Sequence, residues 1–196
     1  MESICVFCGS SVGKRPEYSE TARSFGKLIA SRDITLVYGG GNIGLMREVA
    51  DGALEAGGKV IGVMPKLIVD KEIAHNSLHE LKIVNTMHER KALMAKLSDG
   101  FVALPGGFGT IDELFEIMTW NQLGIINKPC GLLNIEGYFN HLLEYISCAV
   151  NERFVRPEHQ ANLIVDNDPE ELIDRLEKYR PQVAEKWIER LKVDLI

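Results

Sequence analysis

The chain has 196 residues, 45% of them hydrophobic and 26% charged, with a formal net charge of −6. That length is enough for one domain with a full core, and the composition is ordinary for a globular protein. With no run of lysine or arginine, the acidic balance argues against nucleic-acid or membrane-surface binding, although a local site can still hold a small anion.

The opening residues, MESICVFCGS, carry neither a basic region nor a long apolar core, so no signal peptide is expected. No later stretch approaches the roughly 18 apolar residues of a membrane span, and a cytoplasmic protein is expected. The first apolar run, Ile4 to Phe7, reads as a strand buried on both faces. Cys5 and Cys8 form a CxxC there, but no second ligand pair with zinc spacing accompanies it. Residues three apart on a strand face opposite sides, so buried core cysteines are the simpler reading.

Pro16 to Ser31 reads as a helix with proline in its first turn. A second strand, Ile34 to Tyr38, leads through Gly39-Gly40-Gly41 into a helix from Asn42 to Ala56, with Asn42 as its cap and Gly57-Gly58 as its stop. A strand over Val60 to Met64 follows. Thr86 to Ser98 opens with a capping box, Thr86-x-x-Glu89, and Thr110 to Leu123 opens with another, Thr110-x-x-Glu113. Between them lies a strand over Phe101 to Leu104. Further on come a strand over Cys130 to Leu133, a helix over Gly137 to Val150, a short strand at Leu163 to Val165, and a helix opened by Asp168-Pro169-Glu170-Glu171. Met87, Met94 and Met118 read as core filler. Strand–helix alternation at this spacing predicts an α/β, three-layer Rossmann-like fold, a mainly parallel sheet with helices on both faces. We expect one domain over residues 1–180 and an amphipathic helical tail over residues 181–196.

Ligands of such sheets sit beyond the carboxyl ends of the strands. Three of those ends are glycine-rich and run into helix starts: Cys8-Gly9-Ser10-Ser11, Tyr38-Gly39-Gly40-Gly41-Asn42 and Pro105-Gly106-Gly107-Phe108-Gly109-Thr110. Free N–H groups and the helix dipole favour an anion at such places, although glycine is also the default residue of a tight turn. Gly39, Gly41 and Gly44 match GxGxxG, but the next strand ends Met64-Pro65-Lys66 without the acid a dinucleotide site requires. A mononucleotide or phosphosugar fits better. Glu113 either completes the capping box at Thr110 or presents a carboxylate at the pocket rim. Glu116 and Thr119 follow on its face, and Asp112 points elsewhere. Arg90 and Lys91 are either solvated cations or partners of an anion at the start of their helix. The histidines at 75, 79, 88, 141 and 159 form no local nucleophile motif.

PGGFGTIDE, Pro105 to Glu113, resembles the PGGxGTxxE motif of the LONELY GUY (LOG) family, cytokinin riboside 5′-monophosphate phosphoribohydrolases long mislabelled as lysine decarboxylases. FCGSS, VYGGGNIGLM, VIGVMPKLI, MHERKALM and TWNQLGIINKPCGLLNIEGYF extend the resemblance over most of the chain. It implies a homodimer that cleaves the N-glycosidic bond of a nucleoside 5′-monophosphate, AMP or N6-prenyl-AMP, to free base and ribose 5-phosphate, with no metal and no cofactor. Arg90 and Glu113 match its catalytic pair. Glu72, Lys91, Thr119 and the run from Gly107 to Glu113 match substrate-contacting positions. The glycine loops would hold the 5′-phosphate, with Gly9, Ser10, Gly40, Gly41, Gly106, Gly107, Phe108, Gly109 and Thr110 as candidate contacts and Glu116 as a further one. Phe108 stands where plant members often have tyrosine, and Asp112 where glutamate is frequent. The alternatives are a general AMP nucleosidase and a non-catalytic nucleotide or cofactor carrier. A pyridoxal-phosphate decarboxylase would need a Schiff-base lysine, for which no local signature exists.

Overall fold

The computed structural model describes residues 1–69 and 74–180; Glu72 and the expected helical tail lie outside the described residues. In chain order the elements are β1 (Ser3–Phe7), α1 (Pro16–Ser31), β2 (Thr35–Tyr38), α2 (Gly44–Glu55), β3 (Val60–Pro65), α3 (Lys66–Val69), β4 (Glu80–Val84), α4 (Met87–Leu97), β5 (Gly100–Ala103) and α5 (Phe108–Gln122). Then follow β6 (Cys130–Leu133), a 3-10 turn at Ile135–Gly137, α6 (Asn140–Asn151), α7 (Pro157–Ala161), β7 (Leu163–Asp166) and α8 (Pro169–Glu177). The strands form one sheet in the order β4-β3-β2-β1-β5-β6-β7, and every pair is parallel.

Burial on both faces explains the continuous apolar runs. On β1, Ile4 and Val6 join one core layer while Cys5 and Phe7 join the other; on β5, Val102 alternates with Phe101 and Ala103 in the same way. The first layer packs α1, α2 and α8 on the sheet, and the second packs α4, α5 and α6. Cys5 and Cys8 are buried free thiols in opposite layers, as core cysteines three apart on a strand should be.

Three local readings need correction. Asn42 is not a helix cap: α2 starts at Gly44 behind Ile43, with no side-chain cap. The second capping box does not form either, because α5 starts at Phe108 with Gly107 as its cap. With the cap at Gly107, the N3 position falls on Thr110, and Glu113 is three residues too deep in the helix to reach back. The third is the helix read over Gly137 to Val150, which begins only at Asn140. The other caps behave as read. Thr86 Oγ1 accepts the Glu89 N–H at 3.1 Å, and Asp168 Oδ1 accepts the N–H groups of Glu170 and Glu171 at 2.8 and 3.0 Å.

Candidate active site

The strand order reverses direction at β1, between β2 on one side and β5 on the other, and this is the switch point at which open α/β sheets bind ligands. A cavity of about 280 Å³ opens there, at the low end of ligand-site volumes. Two glycine loops form one wall. The loop after β1 brings Cys8, Gly9 and Ser10, and the loop after β5 brings Gly107, Phe108, Gly109 and Thr110. The loops are tied together, since the Gly9 N–H donates to the Pro105 carbonyl at 3.0 Å. The first intrahelical bond of α5 runs from Ile111 N–H to the Gly107 carbonyl at 3.2 Å, so the amides of Phe108, Gly109 and Thr110 precede the ladder.

The third glycine loop has a different job. Gly40 and Gly41 are buried and do not line the cavity. The Leu45 N–H at the start of α2 donates to the Gly9 carbonyl at 3.0 Å, so this helix start supports the β1 loop instead of facing an anion. Gly44 sits at φ +57, and any Cβ there would collide with the Ser10 backbone. The GxGxxG match is therefore a packing device. The buried His75 holds the same loop from outside. Its N–H donates to the Gly40 carbonyl at 3.2 Å and its Nε2 lies 2.9 Å from Asp51 Oδ1 of α2.

Facing the loops is a buried ion pair. Helices α4 and α5 both start at the carboxyl edge of the sheet in the same layer, which brings Arg90 and Glu113 together across 23 residues of sequence. Arg90 Nη1 donates to Glu113 Oε1 at 2.6 Å and Nε donates to the Val63 carbonyl at 3.1 Å. The two side chains are only 12% and 11% exposed, and both line the cavity. Burial pushes the Glu113 carboxyl above the usual carboxylate range, against the opposing pull of Arg90. Cys8 is no nucleophile, because burial, reinforced by the Glu113 charge, drives its thiol far up.

The rest of the acidic strip lies apart. Lys91 Nζ sits between Asp112 Oδ2 at 3.2 Å and Glu116 Oε1 at 3.1 Å, bracing α4 against α5 outside the cavity. Thr119 Oγ1 donates to the Phe115 carbonyl one turn back at 2.7 Å. Glu116 and Thr119 border a separate shallow depression with Ile111, Asp112, Phe115 and Trp120. Gly106 lies behind the lining, its Cα against Gly9. Met46, Met64, Pro65, Ile68 and Met87 form an apolar wall that the sequence reading missed. Met94 is core, 1% exposed, but Met87 is 42% exposed at the cavity mouth and is no core filler. Phe108 is 98% exposed beside it. The position of Met64 and Pro65 at the end of β3 was the available signal. Among the described residues, no group of three or more His, Cys, Asp or Glu is placed to hold a metal, and no helix is long and apolar enough to cross a membrane.

A family model described as "possible lysine decarboxylase" matches residues 46–176. The probable cytokinin riboside 5′-monophosphate phosphoribohydrolase LOGL2 of Oryza sativa subsp. japonica is 48% identical over 98% of this chain and 78% of its own length. The cytokinin riboside 5′-monophosphate phosphoribohydrolase LOG1 of Arabidopsis thaliana is 49% identical over 91% of this chain and 84% of its own. Among solved structures, the molybdenum cofactor binding protein of Rippkaea orientalis aligns with a TM-score of 0.69 at 24% identity, covering 90% of this chain and 96% of that one. The molybdenum cofactor carrier protein of Chlamydomonas reinhardtii aligns at 0.68 and 22%, with the same coverage. At those identities the structures bear on the fold alone, whereas the sequence relatives carry more: this chain belongs to the LOG family of cytokinin riboside 5′-monophosphate phosphoribohydrolases.

Proposed function

We propose that this protein hydrolyses the N-glycosidic bond of N6-modified adenosine 5′-monophosphates, giving free base and ribose 5-phosphate, with Arg90 and Glu113 as the catalytic pair. The observation that carries the reading is the buried Arg90–Glu113 pair facing two glycine loops across one small cavity. Ser10, Gly107, Phe108, Gly109 and Thr110 hold the 5′-phosphate through backbone amides and the α5 dipole, while Gly9, whose N–H is used on the Pro105 carbonyl, lines the wall beside them. That contact orients the ribose toward Glu113. As the C1′–N bond breaks, its electrons leave with the base, which takes up a proton, and positive charge builds on the ribose ring. The Glu113 carboxylate faces that charge and takes a proton from the water that attacks C1′, then returns it to solvent in place of the proton the base has taken up from there. A carboxyl raised by burial is a better base for that step than a solvated one. Arg90, fixed by Val63, holds the carboxylate in place.

The apolar wall of Met64, Ile68 and Met87 suits an alkyl group on the base, and the names of the relatives favour the same substrate over plain AMP. A Schiff-base decarboxylase finds less support, because no lysine lines the cavity among the described residues. The proposal includes a homodimer. Phe115, Trp120, Leu123 and Ile125 give the outer side of α5 and the loop after it the apolar surface a second copy would cover. It leaves Glu116, Lys91 and Thr119 outside the substrate contacts made within one chain.

The test is base release from AMP and from isopentenyladenosine 5′-monophosphate by wild type and Glu113→Gln. Glutamine keeps an oxygen for Arg90 but neither the charge nor the basicity. We expect wild-type release, faster with the prenylated nucleotide, and a loss of about 10²–10⁴-fold in the variant. No release from either nucleotide, or a fully active variant, refutes the assignment.

A further inference from the structure

Tyr138 lies in the connection between β6 and α6, outside the cavity lining, yet it reaches the β5 loop. Its hydroxyl donates to the Gly106 carbonyl at 2.6 Å. Its ring is fixed edge-on against Tyr18 of α1, centroids 5.6 Å apart, and against Phe139, 4.9 Å apart. Both neighbours are buried, so the hydroxyl stands on a rigid base. The loop itself is not rigid by composition. Gly106 and Gly107 are adjacent, and the peptide between them is flanked by residues with no Cβ to resist rotation.

The direction of that peptide matters. No cis peptide occurs among the described residues, and in a trans unit the carbonyl and the following N–H point opposite ways. With the Gly106 carbonyl turned to Tyr138, the Gly107 N–H is turned away from Tyr138, and Gly107 lines the cavity. The preceding carbonyl, of Pro105, is likewise occupied, by the Gly9 N–H at 3.0 Å. Two consecutive carbonyls are thus kept out of the anion site, and a flipped Gly106–Gly107 peptide would turn an oxygen toward a phosphate.

We propose that Tyr138 is a positioning residue for phosphate recognition, one that acts by locking the Gly106–Gly107 peptide with its N–H toward the ligand. This rests on the reading of the loops as a 5′-phosphate site. The variant is Tyr138→Phe, which keeps both ring contacts and removes only the hydroxyl. The assays are calorimetric titration of ribose 5-phosphate and of adenine, kcat and KM with isopentenyladenosine 5′-monophosphate, and the melting temperature. The loss of one hydrogen bond should weaken ribose 5-phosphate by roughly 3–10-fold and raise KM in parallel. Adenine affinity, kcat and melting temperature should stay near wild type, a pattern that general loop damage does not produce. Unchanged ribose 5-phosphate affinity in Tyr138→Phe, or equal weakening of both ligands, overturns the proposal while leaving the site assignment intact. A wild-type protein that binds no ribose 5-phosphate overturns the phosphate reading itself, and the role of Tyr138 with it.

Discussion

Gly39→Ala should disable the enzyme without replacing either member of the proposed catalytic pair. Gly39 ends the approach of β2 to the cavity, and the Arg90 guanidinium fills the space where a side chain would begin. A Cβ there would overlap Arg90 Nη2 and lie 3.2 Å from Met46 Sδ and 3.4 Å from Arg90 Cζ. Collision with the end of a long side chain is usually relieved cheaply. Here the side chain is fixed twice, at Val63 and at Glu113. Restoring ordinary contact takes a displacement of about 1 Å, enough to stretch the 2.6 Å bond to Glu113 beyond hydrogen-bonding distance. A catalytic group misplaced by that much costs about 100-fold in rate, or about 2.7 kcal/mol of barrier. Gly39 shows no positive φ, so alanine adds no backbone strain. The assay is kcat with isopentenyladenosine 5′-monophosphate beside a thermal melt. We expect a folded protein with kcat down about 100-fold. A Gly39→Ala enzyme with wild-type kcat would mean that the position of Arg90 does not matter to the chemistry, and the catalytic pair would have to be reassigned.

Two further predictions concern stability. Because burial raises the Glu113 carboxyl above its ordinary value, the folded state holds a proton there that the unfolded state has released, and the contribution of Glu113 to stability falls as pH rises from about 4.5 through the raised value. Glu113→Gln lacks this titration, so its melting temperature should gain on wild type across that window; parallel curves would mean that Arg90 cancels the effect of burial, and a wild type that gains on the variant would mean that Arg90 outweighs it. At the far end of α4, Lys128 Nζ donates to the carbonyls of Ala95 and Ser98 at 2.9 and 2.7 Å, capping the helix C-terminus. Lys128→Met should cost about 2 kcal/mol, roughly 4–8 °C in melting temperature, with kcat unchanged; an unaltered melt would remove the cap from the account.

The sequence was most legible where burial dictates it. Six strands and the caps at Thr86 and Asp168 follow from apolar runs and side-chain oxygens alone. Strand β4, ELKIV, escaped because it pairs only with β3 at the sheet edge and its residues are half-buried or exposed, so no apolar run marks it. The acidic residue at 113 was ambiguous because a capping box and a catalytic carboxylate share one spacing. Only the actual helix cap, three residues before Thr110 at Gly107, excludes the capping box. The placing of cations early on α4 hinted at a shared anion, yet pairing of Arg90 with Glu113 depends on two helix starts meeting across the sheet edge. The three glycine loops looked alike in sequence and differ in space, because the amide of Leu45 is used on Gly9.

The same architecture occurs in proteins named as cofactor carriers, so the sheet and its loops cannot by themselves assign a reaction. The carboxylate favours the proposed one. A carrier of an anionic ligand is served by amides, glycine and a helix dipole, and a negative group in the same small cavity opposes it. Burying Glu113 with Arg90 also desolvates both charges, which seldom contributes net stability. In a binding protein the arrangement is therefore a liability on both counts. In the proposed mechanism it becomes useful once positive charge develops beside the phosphate, because Glu113 would then interact more strongly with the transition state than with the bound nucleotide, and such a difference is what accelerates a reaction. Glycosidic cleavage generates such charge on the ribose, beside the phosphate that the proposed site would hold, and so the residue least suited to carrying a nucleotide is the one this proposal makes responsible for breaking it.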